Sequence, residues 1–283
     1  MEHFKEKVAV VTGAASGIGR GLAERCAEEG MKVVIADIEE RALKETEKAL
    51  KDRGADVLVM KTDVSSFQDL EALARNTLDA FGGVHLLFNN AGVQVGGGDG
   101  KPLWEHTTAD WEWVLGVNLW GVVHGIRVFT PVMLEQDTEC HIVNTASMAG
   151  LITEPTLVIY AVTKAGVISM SEGLYLQLKH MKAKVGVSVL CPAFVESRLG
   201  EAARNRPEGL LNPPETPHHN ELPPNKLLKS RRDFMSPAQC AEIVFRAIRE
   251  DRFYILTDPL INELTEQLVH NILKGLNPEI PWG

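Results

Sequence analysis

Apolar positions along this chain alternate between two rhythms. The runs KVAVVT (7–12), KVVIAD (32–37), DVLVMK (56–61), VHLLFN (84–89), CHIVNTA (140–146) and VGVSVLC (185–191) are almost continuously hydrophobic and rich in β-branched residues. Runs of that kind predict strands covered on both faces, as in a parallel sheet. The segments between them carry apolar residues at three- and four-residue intervals and are long enough for crossover helices. Six such β-α units predict an α/β fold, a doubly wound parallel sheet with helices on both faces. Ser236 as N-cap and Pro237 at the first helical position open a helix over 237–250. A last strand, FYILTD (253–258), and an amphipathic C-terminal helix over 260–274 follow.

Two stretches break the rhythm. GVQVGGGDGKP (92–102) is a glycine-rich loop at the carboxyl end of the fourth strand, and residues 198–235 are proline-rich without helical or strand period. Loops that long are commonly lids or binding loops. The expectation is one domain over 1–283, with a substrate lid at 198–235.

Composition narrows the partners. Hydrophobic residues make up 45% and charged residues 24% of 283 residues, enough to bury a substantial core. A net charge of −9 argues against nucleic acid and against an anionic membrane surface. Cys26, Cys140, Cys191 and Cys240 are far apart in apolar settings, which predicts reduced, buried thiols and a cytoplasmic protein. The start, MEHFKEKVAVVTG, passes from charged residues straight into a strand without a signal-peptide core. No run is expected to reach membrane-spanning length.

Candidate chemistry begins at TGAASGIG (12–19), between the first strand and its helix. Gly13 permits a sharp turn, Gly17 lets backbone amides approach a pyrophosphate, and Gly19 lets the helix pack on the strand. Ser16 and Ile18 stand between them at the helix N-terminus, which favours phosphate. Asp37 ends the second strand, followed by Ile38. A carboxylate there accepts hydrogen bonds from the adenosine ribose and repels the extra phosphate of NADP, which favours NAD. Arg41 softens that preference, so NADP stays open. Asp63 and Val64 close the third strand, placed to edge an adenine or to cap the helix that follows. In IYAVTKAGVISM (159–170), Tyr160 and Lys164 stand at i and i+4, so their polar ends can meet on one helix face.

With these motifs the chain resembles the short-chain dehydrogenase/reductase family, in its compact single-domain branch. TGAASGIG (12–19), NNAG (89–92), Asn118 in VN, and Ser147 followed by Tyr160-x-x-x-Lys164 match in order and spacing, over about residues 5–200. The resemblance implies a seven-stranded sheet in the order 3-2-1-4-5-6-7. It implies that Asn90, Ala91 and Gly92 lie along the adenosine ribose, and that Asn89 ties the central strands together. Asn118 would kink its helix and hold a proton-relay water, where a satisfied core amide is the structural alternative. Ser147 would bind the substrate oxygen, Tyr160 would be the general acid/base, and Lys164 would bind ribose hydroxyls and lower the tyrosine pKa. Pro192-Ala193-Phe194-Val195-Glu196-Ser197 matches the segment that holds the nicotinamide through Pro192, Ala193, Val195 and Ser197. It departs from the family pattern by alanine for glycine and serine for threonine.

An ammonium about 5 Å from a phenol at an effective dielectric of about 20 favours the phenolate by about 3 kcal/mol, or about 2 pKa units. Burial opposes this, and the expected net is a tyrosine near the working range of a general base. The substrate wall is expected from Met148, the 93–102 loop, Phe194 and the lid. These residues suit a hydrophobic or aromatic secondary alcohol or ketone. The tryptophans 104, 111, 113 and 120 are assigned to packing. His218 and His219 in the lid, and KSRR (229–232), read as solvated loop residues, so no metal is expected. The function expected is NAD-dependent oxidoreduction by a homodimer or homotetramer. An NADPH-dependent carbonyl reductase is the alternative, and a non-catalytic dinucleotide sensor a third reading.

Overall fold

The computed structural model describes residues 1–95, 101–213 and 234–278. His218, His219, residues 229–232, the middle of the expected lid and part of the glycine-rich loop lie outside the described residues. Seven strands form one sheet in the order β3-β2-β1-β4-β5-β6-β7, every neighbouring pair parallel. They are β1 Val8–Thr12, β2 Lys32–Asp37, β3 Val57–Lys61, β4 Leu86–Asn89, β5 Cys140–Thr145, β6 Val185–Cys191 and β7 Tyr254–Leu256. Each lies inside a run read from the sequence.

The hydrophobic runs are continuous because both sheet faces are covered. In β1, Ala9 and Val11 face a layer made by α1 (Gly17–Glu28), α2 (Glu40–Lys51) and α7 (Pro237–Arg249), where Leu22, Leu43, Leu50 and Phe245 are buried. Val8 and Val10 face the opposite layer, α3 (Phe67–Phe81), α5 (Gly121–Glu135) and α6 (Val158–His180), against Leu70, Leu73, Phe129, Met133 and Leu174. A fully buried leucine or phenylalanine contributes about 2 kcal/mol relative to exposure. Helix starts follow the capping residues. Ser236 and Gln239 form a capping box at α7, and Ser66, rather than Asp63, caps α3 by accepting the Asp69 N–H.

The expectation that no run reaches membrane-spanning length needs correction. α4 (Thr108–Leu115) continues through a π-helical turn, Gly116–Trp120, into α5, and the 28-residue stretch Thr108–Glu135 contains an 18-residue window of mean hydropathy 1.3. It is apolar because it is a core helix: Val114, Val122, Phe129 and Met133 are buried, and α5 packs on α3 and β4. Chain order in the sheet reverses between β1 and β4. The carboxyl ends of these two strands, with β5 and β6 beside β4, therefore open a crevice of the kind in which α/β proteins bind ligands.

Candidate active site

The turn after β1 supplies one end of that crevice. Gly13 and Gly17 have φ of 67° and 54°, and Cβ atoms there would come within 2.8 Å of Ala91 Cα and of Ser197 Cβ. Side chains at either position would fill the crevice floor. Ser16 stands at the N-cap of α1 without a side-chain cap, so the first-turn N–H groups stay available to an anion. Thr12 ties this turn to the end of β4: its hydroxyl accepts the Asn90 and Ala91 N–H groups at 2.9 and 3.2 Å. Asn90 Nδ2 returns a bond to Thr12 O at 3.0 Å. Asn89 Nδ2 donates to Asn144 Oδ1 at 2.9 Å and so cross-links β4 to β5.

Gly13, Ser16, Gly17 and Ile18 line one continuous cleft together with Asp37, Ile38, Asp63 and Val64. Asn90, Ala91 and Gly92 continue the wall, and Pro192, Ala193, Val195 and Ser197 close it from the β6 side. Gly19 lies behind the wall, where an added Cβ would come within 2.1 Å of Gly13 O. Asp37 accepts the Ala15 and Glu39 N–H groups at 2.9 and 3.0 Å. Burial nonetheless leaves its carboxyl above the ordinary aspartate value. Alanine in place of glycine at 193 brings no positive φ. The residues present fit a dinucleotide: bare helix N–H groups, a glycine floor and a carboxylate at the end of β2.

At the other end of the cleft stand Ser147, Tyr160 and Lys164. Ser147 leaves β5 and accepts the Ala149 N–H at 3.1 Å, and its hydroxyl lies close enough to Tyr160 to lower the phenol's pKa. Lys164, 2% exposed, donates to Thr145 O at 2.8 Å, its Nζ 5.5 Å from the Tyr160 ring centroid. The expected balance of charge and burial comes out the other way. Tyr160 keeps some exposed surface, yet enough protein surrounds its hydroxyl that burial pushes the phenol up to about 12 against the lowering by Ser147. Burial likewise pulls the Lys164 ammonium down to about 8. Desolvation penalises both charged forms, and the lysine spends its hydrogen bond on the backbone.

Asn118 sits in the π-helical turn, so the helix is distorted where the resemblance implied a kink. Its amide accepts the Val93 N–H at 2.8 Å and donates to Val93 O and Thr163 Oγ1 at 2.9 and 3.1 Å. The side chain fixes the loop after β4 and does not line the cleft. A Cβ at Gly92 would lie 3.5 Å from Asn118 Oδ1 and 3.6 Å from Lys164 Nζ, so these two groups approach the same spot.

The expected substrate contacts Met148 and Phe194 are not in the cleft wall. Met148 packs with Ile152 and Ile261 behind it. Backbone pairing of residues 194–196 with Met235 turns Phe194 towards Phe234, ring centroids 6.0 Å apart. α8 (Pro259–Lys274) supports this rear wall through Ile261 and Leu264. The cleft is lined by Val93 from the 93–102 loop and by Leu199, Ala202 and Pro207 from the segment 198–235, both stretches expected to wall it, and also by Trp113 and Val117. Trp113, assigned to packing, is both packed and lining. The neighbour that holds it is Arg206, whose guanidinium lies 5.2 Å from the Trp113 ring centroid and comes from the segment after β6.

A family model described as short chain dehydrogenase matches residues 7–208. The chain belongs to the short-chain dehydrogenase/reductase family and is an oxidoreductase. It is similar to a "CLA biosynthesis dehydrogenase/reductase" of Lactiplantibacillus plantarum, 35% identical over 99% of this chain and 98% of that protein. It is also similar to a "C alpha-dehydrogenase" of a Sphingobium species, 31% identical over 98% of this chain and 89% of the other. Among solved structures, a short-chain dehydrogenase/reductase from Burkholderia phymatum in complex with NAD superposes with a TM-score of 0.92. The two are 46% identical over 99% of this chain and 98% of that one.

Proposed function

We propose that this oxidoreductase interconverts a hydrophobic or aromatic secondary alcohol and its ketone with NAD, with Tyr160 as general acid/base. The observation that carries the reading is Ser147, Tyr160 and Lys164 lining one cleft, with Lys164 Nζ 5.5 Å from the Tyr160 ring centroid, together with the uncapped N-terminus of α1. A nicotinamide dinucleotide supplies the hydride acceptor or donor. Ser147 holds the substrate oxygen and offers a proton to its developing charge. Tyr160, still protonated at neutral pH, is preset as the acid of the reduction direction. In the oxidation direction it must first release its own proton to solvent, a loss favoured by positive charge at this end of the cleft, and as the phenolate it then takes the alcohol proton. Lys164 is the group for the ribose hydroxyls, and Asn118 is a positioning residue that sets Val93 and the π turn. Val93, Trp113, Val117 and Pro207 favour an apolar substrate.

NAD as the preferred coenzyme is supported by Asp37 and by the NAD-bound Burkholderia relative. A second reading, an NADPH-dependent carbonyl reductase, draws on Arg198 and Arg204 in the cleft wall. We place the enzyme in the cytoplasm on its four buried, unbridged cysteines, and we read it as a homo-oligomer built on α5 and α6. A panel of hydrophobic secondary alcohols, followed by NADH absorbance, tests the reaction. Tyr160→Phe is expected to reduce turnover at least about 10³-fold, within the range of general acid–base catalysis, while leaving NADH affinity within about threefold of wild type. A Phe variant retaining most of its turnover refutes the assignment, and wild-type NADH binding without turnover on any alcohol or ketone favours the sensor.

A further inference from the structure

The segment after β6 is fastened across the cleft at one carboxylate, Glu39. Arg198 Nη1 donates to Glu39 Oε2 at 3.1 Å, Arg204 Nε to Oε1 at 3.0 Å, and Asn205 Nδ2 to Oε1 at 2.9 Å. Arg204 Nη2 adds a further bond to Oε1, and Arg204 Nη1 donates to Arg198 O at 2.9 Å, so the two arginines are held as a pair. Arg198 Nε also pairs with Glu201 at 3.2 Å. Burial raises the Glu39 carboxyl, but the hydrogen bonds from Arg204 and Asn205 and the charges of both arginines bring it below the ordinary glutamate value. Glu39 is therefore ionised at neutral pH.

Glu39 is also joined to the end of β2. Its own N–H donates to Asp37 Oδ1 at 3.0 Å, and Asp37, Glu39, Arg198 and Arg204 line the same wall. An arginine near the ribose accommodates the extra phosphate of NADP, and a carboxylate there repels it. This wall contains both, and the arginines are already paired. Removing the Glu39 charge would leave two guanidiniums there with one carboxylate fewer to neutralise them.

We propose that Glu39 is a coenzyme-specificity residue: it holds Arg198 and Arg204 away from a 2′-phosphate and so reserves the cleft for NAD. The inference rests on reading the cleft as a dinucleotide site. It extends that reading by sharing with Glu39 a discrimination that the sequence places on Asp37 alone. The arginines lie 159 and 165 positions further along the chain, where inspection of residues 15 and 38–41 does not find them.

Fluorescence titration with NADH and with NADPH tests this without a substrate. Glu39→Gln is expected to tighten NADPH about tenfold, the size of one hydrogen bond to a charged group, and to move NADH less than threefold. Glu39→Ser, which truncates the carboxylate, is expected to repeat the result. The gain should vanish when Arg198→Met and Arg204→Met are added to Glu39→Gln. Unchanged NADPH affinity in both single variants overturns the proposal. So does a gain that persists without the arginines, since Glu39 would then act by repulsion alone. A wild type that binds neither coenzyme overturns the dinucleotide reading and this proposal together. Normal NADH binding with no NADPH gain overturns only the latter.

Discussion

Lys164 shows at the scale of one residue how the site sets function against stability. Its ammonium is buried and satisfied by Thr145 O, and its pKa falls from 10.5 to about 8. Since the folded pKa lies below the unfolded one, the unfolded chain binds the proton more tightly. The penalty is full below about pH 8 and disappears as pH rises through 10.5, and the shift corresponds to roughly 3 kcal/mol. Lys164→Met should therefore raise the unfolding free energy from urea titration at pH 7 by about 1–3 kcal/mol, once the lost bond to Thr145 O is set against the relief. It should remove most turnover, and its stability advantage should shrink as the pH approaches 10.5. A variant less stable than wild type at pH 7 would mean that the buried ammonium is not a net cost. Tyr160 carries no such penalty at neutral pH, because its raised pKa leaves it protonated in both states. Spacing shows that Tyr160 and Lys164 can meet. It does not show how much water the fold removes from around them, so the sign of the tyrosine shift was not legible in the sequence.

At the scale of elements, α4 and the segment after β6 are fastened by a buried ion pair. Asp110 is fully buried, and its carboxylate takes Arg206 Nη1 at 2.7 Å, Asn212 Nδ2 at 2.8 Å and the Thr107 N–H at 3.0 Å. Burial raises its carboxyl, but these hydrogen bonds and the arginine charge hold it down at about 2. A folded pKa below the ordinary 3.8 gives stability that is complete above about pH 4 and is lost as pH falls to about 2. Its size is roughly 2 kcal/mol. Asp110→Asn leaves Arg206 buried without its counter-charge and should destabilise the protein by about 3 kcal/mol at pH 7. Acid denaturation curves should show the variant missing the wild-type loss between pH 4 and 2. Identical acid limbs would show that Asp110 does not carry that loss. Strands and their helices were legible because hydrophobic period and capping are local in the chain. This anchor was not, since Asp110 and Arg206 are joined only when the fold closes, and the entry of Trp113 into the cleft wall depends on the same closure.

At the scale of the whole molecule, the outward stripe of α6 bears on assembly. Val162, Ala165, Ser169 and Leu176 are exposed along it and none is charged, and Trp120 at the π turn is 52% exposed. A helix face that meets water ordinarily carries charged residues, and this chain has a net charge of −9 to distribute over its surface. The inner face of the same helix positions Tyr160 and Lys164, so contacts on the outer face would stiffen the element that carries the proposed acid/base. A stable pair needs roughly 800 Å² from each partner, which requires α5 to join α6 in the contact. Sedimentation of the wild type is expected to give a dimer or tetramer. Replacing Val162→Asp and Leu176→Asp puts like charges in the middle of a self-complementary face and should yield a monomer that still binds NADH. A monomeric wild type, or an assembly unmoved by both aspartates, places the contact elsewhere or removes it.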